Sequence, residues 1–327
     1  MNNEEIIQKN YLEWTQFPFD KETIQEVQKL KNNNHSKFQD SFYKDLSFGT
    51  GGMRGIVGYG PNRVNKYTFG KNTQGISNYI NKISDHKEAV VIAYDCRNQS
   101  KELANQVAEI FSSNNIKVYL FSSIRPTPEL SYALIKLKCI CGIVLTASHN
   151  PPEYNGYKVY WKDGGQIVPP IDKKLIKEIE SINFEDINFI KKDSNIQLID
   201  TEIDSSFIKD SIKNGKIGES KREEYRVVFT PIHGTSYKLL PAVLIGAGFK
   251  DFYIVEEQAV PDGNFSTVKS PNPEEPEALE IAIKKAEILN ADIVIGTDPD
   301  ADRVGLAVKN HQGCLLYTSD AADDTPC

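Results

Sequence analysis

Apolar residues recur three and four positions apart through the first forty-six residues: Ile6, Ile7 and Leu12, then Ile24, Val27 and Leu30, then Phe38, Phe42 and Leu46. That spacing is helical. It predicts a helical lead over residues 4–46, with Asp20 as N-cap of the second helix and residues 32–35 as the break before the third. A glycine-rich loop follows at residues 48–55. The pattern then switches to short apolar runs at 90–95, 117–121, 139–145 and 157–161, which read as strands. Between or after them lie amphipathic stretches at 101–113, 128–138 and 172–182, which read as helices. Pro128 suits the first turn of its helix.

A lysine- and asparagine-rich stretch, 183–201, reads as a boundary. Beyond it the alternation resumes, with helices predicted at 204–214, 238–245 and 276–290 and strands at 225–229, 251–255 and 291–296. Two runs of this kind predict an α/β protein of two consecutive domains with mixed, largely parallel sheets, preceded by the helical lead. The first domain is expected over 1–200 and the second over 201–312, leaving 313–327 as a tail without clear periodicity.

The 327 residues are 39% hydrophobic and 25% charged, the balance of a soluble globular chain, and exceed what one core normally uses. A formal charge of −7 argues against nucleic acid and anionic membranes as partners. No apolar run approaches the ~18 residues of a membrane span, and the start has no signal-peptide pattern. The five cysteines form no CxxC pair. Cys139 and Cys141 are expected on the same face of one strand as small core residues. A reducing, cytoplasmic setting fits this usage, and the pattern carries no signal for an oligomeric state.

In parallel sheets, ligands gather beyond the carboxyl ends of strands. Asp95/Arg97, Ser148/His149, Thr230/His233 and the segment from Asp298 to Arg303 all follow predicted strands. They are therefore expected in one cleft between the domains. Asp298, Asp300 and Asp302 repel one another and call for a cation. In a straight strand the outer two would be ~13 Å apart, whereas Mg²⁺ takes oxygens at ~2.0–2.1 Å, so the segment must curl, with Pro299 supplying the bend. The EF-hand glycine and glutamate are not in place. Ser148 and His149 are adjacent, and successive side chains usually diverge, so the pair alone does not define a hydrolase; the G-x-S-x-G elbow is also absent. The loop from Gly49 to Gly55 ends in neither a Walker A signature nor G-x-G-x-x-G, but Arg54 offers a fork of donors for phosphate. A hydroxyl able to carry phosphate and a knot of carboxylates together point to phosphoryl transfer through a phosphoserine, with His149 and Lys158 available as proton acceptors.

Residues 146–151 with 155–158, and residues 298–303, resemble the phosphoserine and metal loops of the α-D-phosphohexomutases. The glycine-rich loop and the Trp14-containing lead look most like the branch of bacterial phosphoglucomutases and phosphopentomutase-type enzymes. The resemblance runs from about residue 4 to about residue 309. It implies that Ser148 cycles through phosphoserine and that its phosphate, with Asp298, Asp300 and Asp302, holds Mg²⁺. Arg303 would lie against that phosphate, and Arg54, His149 and Lys158 would assist proton transfer and steady the transferring group. The implied reaction moves phosphate between the 1- and 6-hydroxyls of a hexose, most simply glucose, through glucose 1,6-bisphosphate. A phosphomannomutase or phosphopentomutase of the same mechanism, a metal-dependent phosphatase and a non-catalytic sugar-phosphate binder are the alternatives. The family's third and fourth domains carry a sugar-selecting loop and a phosphate-gripping Arg-x-Ser-Gly-Thr loop, and neither motif occurs here. The resemblance therefore implies a C-terminally truncated chain with a non-native tail after about residue 316 and little mutase activity of its own.

Overall fold

The computed structural model describes residues 2–84, 88–215, 221–310 and 314–318; most of the expected tail, 313 and 319–327, lies outside them. The lead forms α1 (Asn3–Trp14), α2 (Lys21–Asn33) and α3 (His35–Phe42). Asp20 caps α2, its carboxylate accepting from Thr23 N at 2.7 Å. Asn34 ends α2 and caps α3, accepting from Lys37 N at 3.0 Å, so the asparagine cluster is the break its composition predicts. Trp14 is fully buried, stacked on Phe19 with ring centroids 4.4 Å apart and edge-on to Phe42, Tyr67 and Phe184. The lead is thereby fastened to the first domain.

That domain comprises β1 (Gly52–Ile56), α4 (Lys66–Ile83), β2 (Ala89–Tyr94), α5 (Ser100–Ser113), β3 (Lys117–Phe121), α6 (Thr127–Lys136), β4 (Cys141–Leu145), β5 (Tyr154–Trp161), α7 (Ile171–Glu180) and β6 (Ile196–Ile199). The sheet order is β1-β5-β4-β2-β3-β6, parallel from β4 to β6 and antiparallel through β5 and β1. Along β2, Val90 and Ile92 enter one core and Val91 and Ala93 the other. Both faces are covered, which is why the strand reads as a continuous apolar run.

Four expectations change. The segment read as a glycine loop becomes strand β1 from Gly52 onward. Gly52 has φ +136°, and a Cβ there would lie 1.9 Å from Tyr157 O on β5, so the glycine is what lets this edge strand close on its neighbour. The periodicity passes over α4, an 18-residue helix, because its buried face is largely polar. Thr73 Oγ1 and Ser77 Oγ donate to the carbonyls four residues back at 2.8 and 2.7 Å. Gly75 meets α7 where a Cβ would sit 2.7 Å from Ile179 Cα. The polar stretch 183–201 is not a free linker, since its end forms β6 on the first sheet. Finally, Cys139 precedes β4, its N–H still bonded to Leu134 O at the end of α6. It packs in the core opposite to that of Cys141, not on the same face.

The second part comprises α8 (Thr201–Asn214), β7 (Arg226–Thr230), α9 (Leu239–Gly246), β8 (Asp251–Ile254), α10 (Glu256–Ala259), α11 (Glu280–Leu289), β9 (Ile293–Thr297), β10 (Val304–Lys309) and β11 (Leu315–Thr318). Its sheet runs β11-β10-β9-β7-β8, with β9, β7 and β8 parallel. β11 pairs antiparallel with β10, so the sheet continues past residue 312. α8 packs on α6 of the first domain, where Ile203 joins its core and Tyr132 OH donates to Asp210 at 2.7 Å. No helix of the described residues is long and apolar enough to cross a membrane.

Candidate active site between the two sheets

β4 and β9 end facing each other across the junction of the two sheets, and the site is built on their C-terminal turns. After β4 the chain folds tightly. Ser148 adopts φ +53°, and its N–H donates to Thr146 Oγ1 at 2.8 Å. In this left-handed turn the side chains of Ser148 and His149 lie on the same side. His149 Nδ1 therefore comes within 3.3 Å of Ser148 Oγ, although adjacency in sequence predicted divergence. Ser148 Oγ donates to Asp298 Oδ2 at 2.7 Å across 150 positions. The two segments singled out in the sequence thus meet.

The aspartate segment is the turn between β9 and the antiparallel β10. Asp298 Oδ1 accepts from the N–H groups of Asp302 and Arg303, each at 3.1 Å, and Ala301 has φ +57°. These bonds produce the predicted curl, and one carboxylate oxygen from each of Asp298, Asp300 and Asp302 lies within 4.8 Å of the others. Asp298 and Asp300 are fully buried. Burial, then the charges of Asp300 and Asp302, push the Asp298 carboxyl well above the usual range. Asp300 goes the other way: burial raises it, but Lys158 more than offsets that and holds it low.

Lys158 Nζ donates to Asp300 Oδ2 and Asp302 Oδ2, both at 2.6 Å. Burial alone would favour its neutral form, yet the two carboxylates raise its pKa above that of a free lysine. Lys158 is therefore a cation here. His149 is shifted down by burial and by the charges of Arg303 and Arg54. Its neutral ring is the better proton acceptor of the two candidates. Arg54, exposed on β1, reaches Asn150 Oδ1 at 3.4 Å beside the serine turn. Arg303 is half-exposed and donates to Glu274 at 3.0 Å.

The structure does not bring Thr230 and His233 to this site. Thr230 Oγ1 donates to Gln258 at 2.5 Å, and both His233 ring nitrogens are taken, by Val260 O and Thr267 Oγ1, each at 2.9 Å. Sequence reasoning passes over Thr127. It opens α6 and holds Asp300 twice, through Oγ1 to Oδ2 at 2.7 Å and through its N–H to Asp300 O at 2.8 Å. No local signal marks it, since Pro-Thr-Pro is an ordinary helix start. Asp300 Oδ1 is buried with no hydrogen-bond partner among the described residues. An orphaned carboxylate oxygen beside two further carboxylates is a hard, all-oxygen donor set that fits a divalent cation such as Mg²⁺.

Two family models match, "Phosphoglucomutase/phosphomannomutase, alpha/beta/alpha domain I" over residues 45–186 and "domain II" over residues 205–313. A Staphylococcus epidermidis phosphoglucomutase is 38% identical over 289 residues, covering 88% of this chain and 53% of that protein. One from Staphylococcus haemolyticus is 38% identical over 300 residues, covering 89% and 54%. The chain thus spans about half the length of the curated relatives it matches. Among solved structures, a phosphoglucomutase/phosphomannomutase family protein from Burkholderia thailandensis superposes with TM-score 0.64 at 24% identity, covering 82% of this chain and 55% of that one. The Paramecium phosphoprotein pp63/parafusin, in an open form, gives 0.58 at 18%, covering 81% and 54%. These two likenesses speak for the fold.

Proposed function

The chain belongs to the phosphoglucomutase/phosphomannomutase family, and from that premise we propose that it is the phosphoryl-accepting half of a hexose-phosphate mutase acting between glucose 1-phosphate and glucose 6-phosphate. The phosphoglucomutases at 38% identity support glucose as the sugar. The observation that carries the reading is the 2.7 Å hydrogen bond from Ser148 Oγ to Asp298. It sets one buried hydroxyl against a carboxylate cluster.

In this reading Ser148 Oγ carries the phosphoryl group. A sugar hydroxyl oxygen attacks phosphorus, the bond from phosphorus to Oγ breaks, and Oγ departs to take up a proton. His149 accepts the hydroxyl proton. Arg54 and Arg303 steady the phosphoryl oxygens from the open side, and Lys158 does so from within the carboxylate cluster. Asp298, Asp300 and Asp302 would hold Mg²⁺, which when bound would lower the cost of negative charge on the transferring group. The bisphosphate formed then turns and returns its other phosphate to Ser148. The free cysteines among the described residues fit a reducing, cytoplasmic setting.

The experiment is to incubate the chain with radiolabelled glucose 1,6-bisphosphate and Mg²⁺. We expect acid-stable label on Ser148, none in Ser148→Ala, none after chelation of the metal, and release of label to glucose 1-phosphate rather than to water. Release to water would instead indicate a phosphatase, and absence of label from the wild-type chain would refute the reading.

A further inference from the structure

Arg97 lies in the turn after β2, and its side chain is fully buried. Its guanidinium is committed to the backbone of one loop. Nη2 donates to Ser148 O at 2.6 Å and Asn150 O at 2.5 Å; Nη1 donates to Pro151 O at 2.8 Å and Tyr154 O at 3.1 Å. Four of its five N–H groups thus bind carbonyls of the strained turn that carries the reacting hydroxyl. Asp95 lies 3.3 Å from Nε and accepts from Arg97 N at 2.9 Å, which fixes the arginine from below.

The opposite face of the guanidinium rests on a ring from the second domain, with Phe265 centred 4.9 Å away. The loop that carries Phe265 docks on the Arg97 turn itself. Asn98 Nδ2 donates to Asn264 Oδ1 at 2.9 Å. A Cβ on Gly263 would lie 2.7 Å from Asn98 N, so the two backbones touch. Arg97 therefore contacts both sides of the gap that Ser148 and Asp298 bridge.

We propose that Arg97 is a positioning residue for phosphoryl transfer: it locks the 148–154 loop in its left-handed turn and keys that loop to the second domain through Phe265, setting the approach of Ser148 Oγ to the aspartates. A lysine cannot replace it, because three donors on a point charge cannot reach four carbonyls spread along the loop. This inference rests on the phosphoserine reading for its kinetic test but not for its structural one.

The test compares wild type with Arg97→Lys in the full 327-residue chain. Ser148 labelling by glucose 1,6-bisphosphate is measured per folded molecule at saturating donor, alongside the half-saturating concentration. We expect the saturated rate to fall about 100-fold, the cost of displacing a reacting group by an ångström, with the half-saturating concentration changed less than about threefold. A merely structural role would lower the melting temperature and leave the rate of the folded fraction within about threefold; that result overturns the proposal. If wild type takes no label, amide exchange decides. The bonded amides of Ser148, Asn150 and Tyr154 should exchange faster in the variant while Val144 in β4 does not change. Equal exchange at all four overturns it. Should Arg97→Lys fail to fold, Phe265→Leu is read the same way, with a rate loss of about tenfold expected from removing the ring beneath the cation.

Discussion

Replacing Glu129 by glutamine should abolish a pH dependence of stability that the wild-type chain carries near neutrality. Glu129, on α6, is fully buried, and neither carboxylate oxygen has a hydrogen-bond partner among the described residues. Arg125 is close, 3.5 Å away, but its guanidinium is already held by Asp204 at 2.8 and 2.9 Å and by Asp200 at 3.0 Å. Burial first, then Asp204, push the Glu129 carboxyl up to about 9 from 4.5, against the pull of Arg125; Asp200 adds to the rise. Tyr94 on β2 also faces this group of charges and is itself raised by burial and Asp200. The folded state thus holds a proton that the unfolded state releases. Its contribution is complete below about pH 4.5 and is lost as pH rises through about 9. Between about pH 5 and pH 8 the loss is about 4 kcal/mol. Glutamine keeps the shape without the titration. The assay is urea unfolding followed by tryptophan fluorescence at several pH values in that range. Wild-type stability minus that of Glu129→Gln should fall steadily with pH and change sign in favour of the variant. A difference that moves by less than about 1 kcal/mol across the range would refute the reasoning.

Two further outcomes follow from packing. Trp14→Ala should destabilise the first domain by about 3–5 kcal/mol, because it empties the centre of the aromatic cluster joining the lead to α4; a loss under about 1 kcal/mol in the same unfolding assay would show the lead to be dispensable. Gly263→Ala should force apart the loop carrying Phe265 and the turn carrying Arg97, since the new Cβ meets the backbone of that turn, 2.7 Å from Asn98 N and 2.8 Å from Cys96 O. It should cost about 1–3 kcal/mol and slow Ser148 labelling by at least about tenfold; an unchanged labelling rate would show that this contact does not set the gap.

The helical lead, the strand–helix alternation and the acidic turn were legible because each is a local property. The apolar period of residues 6–42 follows from one buried face per helix, and the apolar strands follow from burial on two faces. α4 was not legible because its buried face carries Asn72, Thr73, Gln74 and Ser77, whose polar groups are satisfied internally, and the hydrophobic period disappears with them. β1 was hidden for the opposite reason. Its glycines signal a loop, whereas here they let a strand approach Tyr157 O closely.

The sequence by itself determined the chemistry on offer: a serine in a turn after one strand, three alternating aspartates after another, and the cations Arg54, Lys158 and Arg303. It also determined that the acidic segment had to bend, since like charges and strand geometry forbid a straight one. Only the tertiary structure decided which groups meet. It joined Ser148 to Asp298, gave Lys158 to Asp300 and Asp302 as a fixed cation, recruited Thr127 from a helix start, and withheld His233. The physical reason is that partner choice here depends on how two separately formed sheets dock. Docking is set by contacts such as Gly263 against Asn98 and Arg97 against Phe265, between residues far apart in the chain that no local pattern pairs.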